Sequence, residues 1–207
     1  MEVLIADVSG KGLGAALLTT MLQGALSAMT IGVDPGRLME HLNSFLCEHS
    51  DVERYATMFF CVLDAAGKLD FINAGHPPPL ILRHGDVVEP FVDNSFPVGL
   101  IPGAEYHVST VTLELGDTLV LFSDGVTEAM DPEQEMFGRT GLLKALRGQQ
   151  DPPLDQLQKT LLESVETFAR GASQADDITL MLIKYRHAPS TRGASQERIP
   201  GTDQAVL

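Results

Sequence analysis

Between residues 55 and 122 the chain is a series of short apolar segments separated by tight-turn signals, and this stretch limits the possible folds more than any other. Segments 55–63 and 68–72 flank Asp64-Ala-Ala-Gly67, segments 80–83 and 87–91 flank His84-Gly-Asp86, and segments 106–113 and 118–122 flank Glu114-Leu-Gly-Asp117. Each pair is expected to form a hairpin, because a short link rich in Gly and Asp returns an apolar run antiparallel to itself. Helical periods lie on either side. A short strand at 3–6 leads through a glycine turn at 10–14 into an uncharged helix. A second helix is expected after Asp34, with Asp34 as N-cap and Pro35 in the first turn, ending near His49. Downstream, segment 141–146 is helical in period, and Leu154, Leu157, Leu161, Leu162, Val165 and Phe168 mark one face of another helix. The segment 178–185 is almost wholly apolar and is expected to be a central strand covered on both faces. Hairpins in the middle and helices before and after give an α+β layered fold rather than a βαβ array.

The chain has 207 residues, of which 44% are apolar, enough for one domain with a sizeable core. Residues 186–207 are rich in Ser, Gly, Pro, Gln and Arg and are expected to be a disordered tail after a domain at 1–185. With 14 basic and 28 acidic residues the net charge is −14, which argues against nucleic acid as a partner. An anionic substrate would need positive charge from another source, and bound metal ions supply it. The uncharged stretch 12–33 raises the question of a membrane span. Thr19, Thr20, Gln23, Ser27 and Thr30, with four glycines, favour instead a helix buried between layers of a cytoplasmic protein with no membrane contact.

Three acidic motifs share one context. Asp7 follows the apolar run VLIA and precedes VSGKG, Asp124 follows TLVLFS and precedes Gly125, and Asp176 and Asp177 precede ITLMLIKY. Each carboxylate therefore sits at the end of a core strand, where side chains leave the sheet and can converge. Carboxylates brought together repel, and a cation among them relieves this; hard oxygen donors suit Mg²⁺ or Mn²⁺ rather than zinc. Asp beside Gly after a strand is also a common turn residue, so spacing alone leaves both readings open. Neither GxxxxGK[ST] nor GxGxxG occurs. Cys47 and Cys61 lack the Arg six positions on that a thiol phosphatase needs, since Arg54 is one position too far and position 67 is Gly67. They read as reduced structural thiols. His76, between a glycine and three prolines, reads as structural, and His41 and His49 as surface residues.

Four motifs in order, ADVSGKG with its following AALL, NAGHPPPLIL, LFSDGVTEA and ADDITLMLIK, resemble the PPM-type (type 2C-like) metal-dependent protein phosphatases, in their bacterial SpoIIE/RsbU branch. The resemblance runs from about Glu2 to Tyr185. It implies an α-β-β-α sandwich of two antiparallel sheets flanked by helices, and two Mn²⁺ or Mg²⁺ ions. Asp7 would bridge the ions, the Val8 carbonyl would add a ligand, and Asp124 and Asp176 would complete the site. Asp176 is preferred over Asp177 because relatives often carry Asn at the latter position. The implied activity is hydrolysis of phosphoserine or phosphothreonine on a regulatory protein, an anti-sigma-factor antagonist by analogy, without a covalent intermediate. The alternative is a non-catalytic module of the same fold that docks a signalling partner. Relatives usually begin further upstream, with two strands and a GGDxxD-like motif. This chain is therefore expected to lack those strands and one carboxylate, and to self-associate through an exposed strand edge.

Overall fold

The computed structural model describes residues 1–28, 34–50, 54–174 and 176–186. Elements follow the chain as β1 (Glu2–Val8), α1 (Leu13–Ala28), α2 (Pro35–His49), β2 (Ala56–Leu63), β3 (Lys68–Ala74), β4 (Leu80–Arg83), β5 (Asp86–Val88), β6 (Asn94–Ser95), β7 (Ser109–Thr112), β8 (Thr118–Phe122), α3 (Asp124–Thr127), α4 (Gly138–Leu146), α5 (Leu154–Ala169) and β9 (Leu180–Lys184). The first sheet runs β1-β2-β3 antiparallel. Beyond β3 come a two-residue parallel pairing with β6 and an antiparallel one with β7. The second sheet runs β5-β4-β8-β9, antiparallel throughout.

Local chemistry explains the turns. The Asp64 carboxylate accepts from the Ala66 and Lys68 backbone N–H groups at 2.8 and 2.9 Å, closing the β2–β3 hairpin. Gly67 there has φ +88° and lies against the Leu113 carbonyl, where a side chain would not fit. His84 and Gly85 both take positive φ, as the β4–β5 turn requires. At the start of α2, Asp34 accepts from the Arg37 N–H at 3.1 Å, a cap worth about 1 kcal/mol.

Three apolar clusters define four layers. Leu18, Leu22, Met39, Leu42 and Leu46 pack α1 and α2 on one face of the first sheet. Phe59, Phe71, Ile81, Leu119 and Leu121 fill the space between the sheets. Leu142, Leu146, Leu157, Leu161 and Val165 cover the far face of the second sheet. The result is an α-β-β-α sandwich. Among the described residues no helix is long and apolar enough to cross a membrane. Residues 187–207, nearly all of the expected tail, lie outside the described residues.

Three expectations need correction. The Glu114–Asp117 turn forms, but it does not close a hairpin: β7 pairs with β3 in the first sheet and β8 with β4 and β9 in the second. A turn signal reports that the chain reverses, not that it stays in one sheet. Here Leu113 and Leu119 both enter the cluster between the sheets, which pulls the chain across. The last strand, β9, is covered on both faces but lies at a sheet edge. Apolar content records the faces and is silent about lateral neighbours. The uncharged helix α1 is not sandwiched either: Leu18 and Leu22 are buried, whereas Leu13 and Leu17 are 78% and 54% exposed.

Candidate metal centre

The strand ends bring the acidic motifs to one rim of the sandwich. Asp7 is the second-last residue of β1, directly opposite Thr57 on β2. Beyond β1, the Ser9 N–H donates to the Tyr55 carbonyl and the Tyr55 N–H donates to Ser9 Oγ, both at 2.9 Å. These bonds tie down the start of the turn, which needs the positive φ of Gly10 and Gly12 to enter α1. Asp124 opens α3 immediately after β8 and Ser123.

Segments 123–125 and 177–179 are locked together. Ser123 Oγ donates to the Asp177 carbonyl at 3.0 Å and accepts from the Thr179 N–H at 2.9 Å, while the Ser123 N–H donates to the Thr179 carbonyl. Gly125 presses on the Asp177 carbonyl so closely that a Cβ would stand 2.3 Å from its oxygen. The preceding loop is held by Gln174, whose side chain donates to the Asp176 carbonyl at 2.8 Å, and Asp176 Oδ1 accepts from the Asp177 N–H at 2.9 Å.

Asp7, Val8, Asp124, Asp176 and Asp177 all line one cleft of about 1040 Å³, walled on one side by α1. Burial and then the Asp124 and Asp176 carboxylates raise the pKa of Asp7 above its ordinary value, Asp177 adds a smaller push, and a hydrogen bond from the Val8 backbone works against them. Lys11 reaches Asp176 at only 4.0 Å with both side chains well exposed, a contact worth little.

Each residue expected at the site from the sequence thus lines the same cleft. The donor set is wholly hard oxygen and carries repelling charge, which fits Mg²⁺ or Mn²⁺. Among the described residues, however, no three His, Cys, Asp or Glu side chains stand close enough together to hold an ion. The fit therefore rests on donor chemistry and on the shared cleft.

Neither cysteine lines the cleft. Cys61 is buried in the core between the sheets, which pushes its thiol up to about 12. His76 does not line the cleft either, but its buried ring lies behind it, with Nδ1 3.1 Å from Thr57 Oγ1. Thr57 carries no signal of its own in the sequence, being one residue in an ordinary apolar strand, ATMFFCVL. Ser123 stands inside the LFSDGVTEA motif, and its place next to Asp124 is the signal that points to it as the bond holding Asp124 beside Asp177.

Comparison with known proteins places these features in a family. The Stage II sporulation protein E (SpoIIE) family model matches residues 1–186. The chain is 28% identical over 191 residues to the phosphoserine phosphatase RsbU of Bacillus subtilis, covering 90% of this chain and 56% of that protein. It is 27% identical over 190 residues to the phosphoserine phosphatase RsbP of the same organism, covering 89% and 45%. The chain thus spans about half the length of these curated relatives. Among solved structures, the SiaA-PP2C domain of Pseudomonas aeruginosa superposes with a TM-score of 0.78 at 19% identity, covering 89% of this chain and 75% of that one.

Proposed function

The chain belongs to the Stage II sporulation protein E (SpoIIE) family, and from that premise we propose that it hydrolyses phosphoserine or phosphothreonine on a regulatory protein, using Mn²⁺ or Mg²⁺. The observation that carries this reading is the meeting of four carboxylates from three separate chain segments, Asp7, Asp124, Asp176 and Asp177, in one open cleft. Asp7, Asp124 and Asp176, with the Val8 carbonyl, would hold two ions. Asp176 is taken in preference to Asp177 on the family resemblance. Bound ions supply a more acidic water and neutralise charge on the phosphoryl oxygens.

The protein's own part is placement. Two sheets deliver Asp7 and Asp124 from opposite layers, and the contact of Gly125 with Asp177 fixes the third motif beside the second. The cleft is open and polar enough to admit a phosphorylated side chain, and it holds no thiol that would compete as a nucleophile. A phosphorylated anti-sigma-factor antagonist is the substrate class that the branch suggests. The domain is 1–185, and the remaining residues take no part in the chemistry.

One observation favours a second reading, a module of this fold that docks a partner without catalysis: among the described residues no three His, Cys, Asp or Glu side chains stand close enough to hold an ion. Hydrolysis of p-nitrophenyl phosphate and of a phosphoserine peptide, with Mn²⁺ and with EDTA, separates the two. Metal-dependent turnover abolished by EDTA supports the phosphatase, whereas full activity in EDTA overturns the metal reading and no activity in either favours docking.

A further inference from the structure

A cleft lined by four carboxylates repels a phosphorylated side chain, which itself carries about −1.5 to −2 charges at neutral pH. Bound ions would offset part of this repulsion. Among the described residues lining the cleft, one side chain is basic, that of Lys11. We propose that Lys11 binds the phosphoryl group of the substrate, its ammonium donating to a phosphoryl oxygen. This rests on the metal-dependent reading above.

Three observations converge. First, the Lys11 ammonium stands beside the acidic cluster. Its Nζ is 4.0 Å from Asp176 Oδ1, and the two side chains are 76% and 44% exposed. A contact of that length between exposed groups is weak, so it places the charge near the site without adding much stability. Second, the turn that carries Lys11 is pinned on both sides by two consecutive residues. Before it, Ser9 and Tyr55 exchange two hydrogen bonds at 2.9 Å. After it, the Arg54 guanidinium lies so close to Gly14 that a Cβ on that glycine would overlap it. Glycine weakens a helix, so its place in the first turn of α1 is explained by this contact and not by helix formation. The two anchors fix where the Lys11 backbone stands relative to Asp7 at the end of β1. Third, there is room for an anion beside the amine. Gly10 and Gly12 flank Lys11 at φ +86° and +78°, and the space where a Cβ would stand on each is open. Side chains at these positions would be strained and would fill the approach. An ammonium on a flexible four-carbon stem binds phosphate as a point charge. Arg54, which does not line the cleft, serves to place the turn.

The test compares the full chain with Lys11→Gln, which removes the charge, and Lys11→Arg, which restores a cation. Calorimetry measures binding of inorganic phosphate to the Mn²⁺-saturated proteins, electron paramagnetic resonance measures the Mn²⁺ dissociation constants, and steady-state hydrolysis gives KM and kcat for a phosphoserine peptide and for p-nitrophenyl phosphate. Lys11→Gln is expected to bind phosphate about 10-fold more weakly, the scale of one hydrogen bond to a charged group. KM should rise by a similar factor for both esters, because the phosphoryl group is what they share, and Lys11→Arg should recover most of the loss. Mn²⁺ affinity should be no weaker than in the unaltered chain. Phosphate affinity and KM unchanged in Lys11→Gln would overturn the proposal, whether or not Mn²⁺ then binds more tightly. A KM rise confined to the peptide would overturn it too, by moving the contact off the phosphoryl group, as would a phosphate loss that follows a loss of Mn²⁺ affinity. Failure of the unaltered chain to bind Mn²⁺ or to turn over either ester would instead overturn the phosphatase reading, and this inference with it.

Discussion

Gly125 sits so close to Asp177 that a methyl group on its Cα would stand 2.3 Å from the Asp177 carbonyl oxygen and 2.9 Å from the carbonyl carbon. The obstacle is backbone, so it cannot swing aside as a side chain could. Gly125→Ala should therefore push apart the segments carrying Asp124 and Asp177. The expected cost is about 1–3 kcal/mol, the usual range for overpacking, together with weaker Mn²⁺ binding. Urea unfolding and metal titration of the variant check this. A variant with normal stability and normal Mn²⁺ affinity would show that the contact does not hold the two motifs in place.

Asp7 makes a prediction about pH. Its carboxyl titrates above its ordinary value in the metal-free fold, chiefly through burial and then through Asp124 and Asp176. The fold therefore binds this proton more tightly than the unfolded chain does. The stability so gained is fully present below the unfolded pKa and is lost as pH rises through the folded one. At neutral pH the ionised carboxylate is a liability, one that a bound cation would relieve. Asp7→Asn should accordingly melt higher than the unaltered chain in EDTA at pH 7, while millimolar Mn²⁺ should raise the melting temperature of the unaltered chain only. Thermal melts with EDTA and with Mn²⁺ decide it. A lower melting point for Asp7→Asn in EDTA would mean that the charge is not strained.

Asp124→Asn keeps the shape of the side chain and removes its charge. Changes to groups that merely orient a ligand cost 10–100-fold in affinity or activity, so loss of a ligand itself should lower turnover of p-nitrophenyl phosphate by at least about 100-fold. Far-ultraviolet circular dichroism should be unchanged. Turnover near that of the unaltered chain would remove Asp124 from the site.

The sequence was most informative where one residue carries several constraints. Asp34 before Pro35 marked the start of α2 because the cap and the proline act locally, and Asp64 with Gly67 marked a hairpin for the same reason. The acidic motifs were legible because each combines a strand end with a distinctive run of neighbours, and all of them meet in one cleft. What the sequence left hidden is nonlocal. Nothing in the turn at Glu114–Asp117 says that the strands on either side join different sheets, and nothing in the apolar run of β9 says that one of its edges is unpaired in the sheet. The Thr57–His76 bond joins residues 19 positions apart that only the pairing of strands within the first sheet brings together.

The crossing from the first sheet to the second is secured by Asp117, which is 1% exposed. Arg83 Nε donates to its two oxygens at 3.1 and 3.0 Å and Nη2 donates to Oδ2 at 2.6 Å, while the Glu114 N–H donates to Oδ2 at 2.8 Å. The same guanidinium donates to the Thr112 carbonyl at 3.1 Å, so it links the end of β7 to the start of β8. Asp117→Ala takes the buried partner from a half-buried guanidinium, which keeps Glu114 at 2.8 Å and the Thr112 carbonyl, and leaves the Glu114 backbone N–H unpaired at that corner. Losing a hydrogen-bonded charged partner there should cost about 1–3 kcal/mol. Asp117 and Asp124 lie at opposite ends of β8, a strand of five residues, roughly 17 Å long at 3.3–3.4 Å per residue. The loss should thus appear in the urea midpoint and leave the Mn²⁺ affinity of the folded chain unchanged. Replacing both residues, with Arg83→Met added, should recover part of the loss, because no uncompensated charge then remains. A fall in Mn²⁺ affinity for Asp117→Ala would show that the corner and the cleft are coupled along β8, and a cost below about 0.5 kcal/mol would show that apolar packing alone carries the chain across.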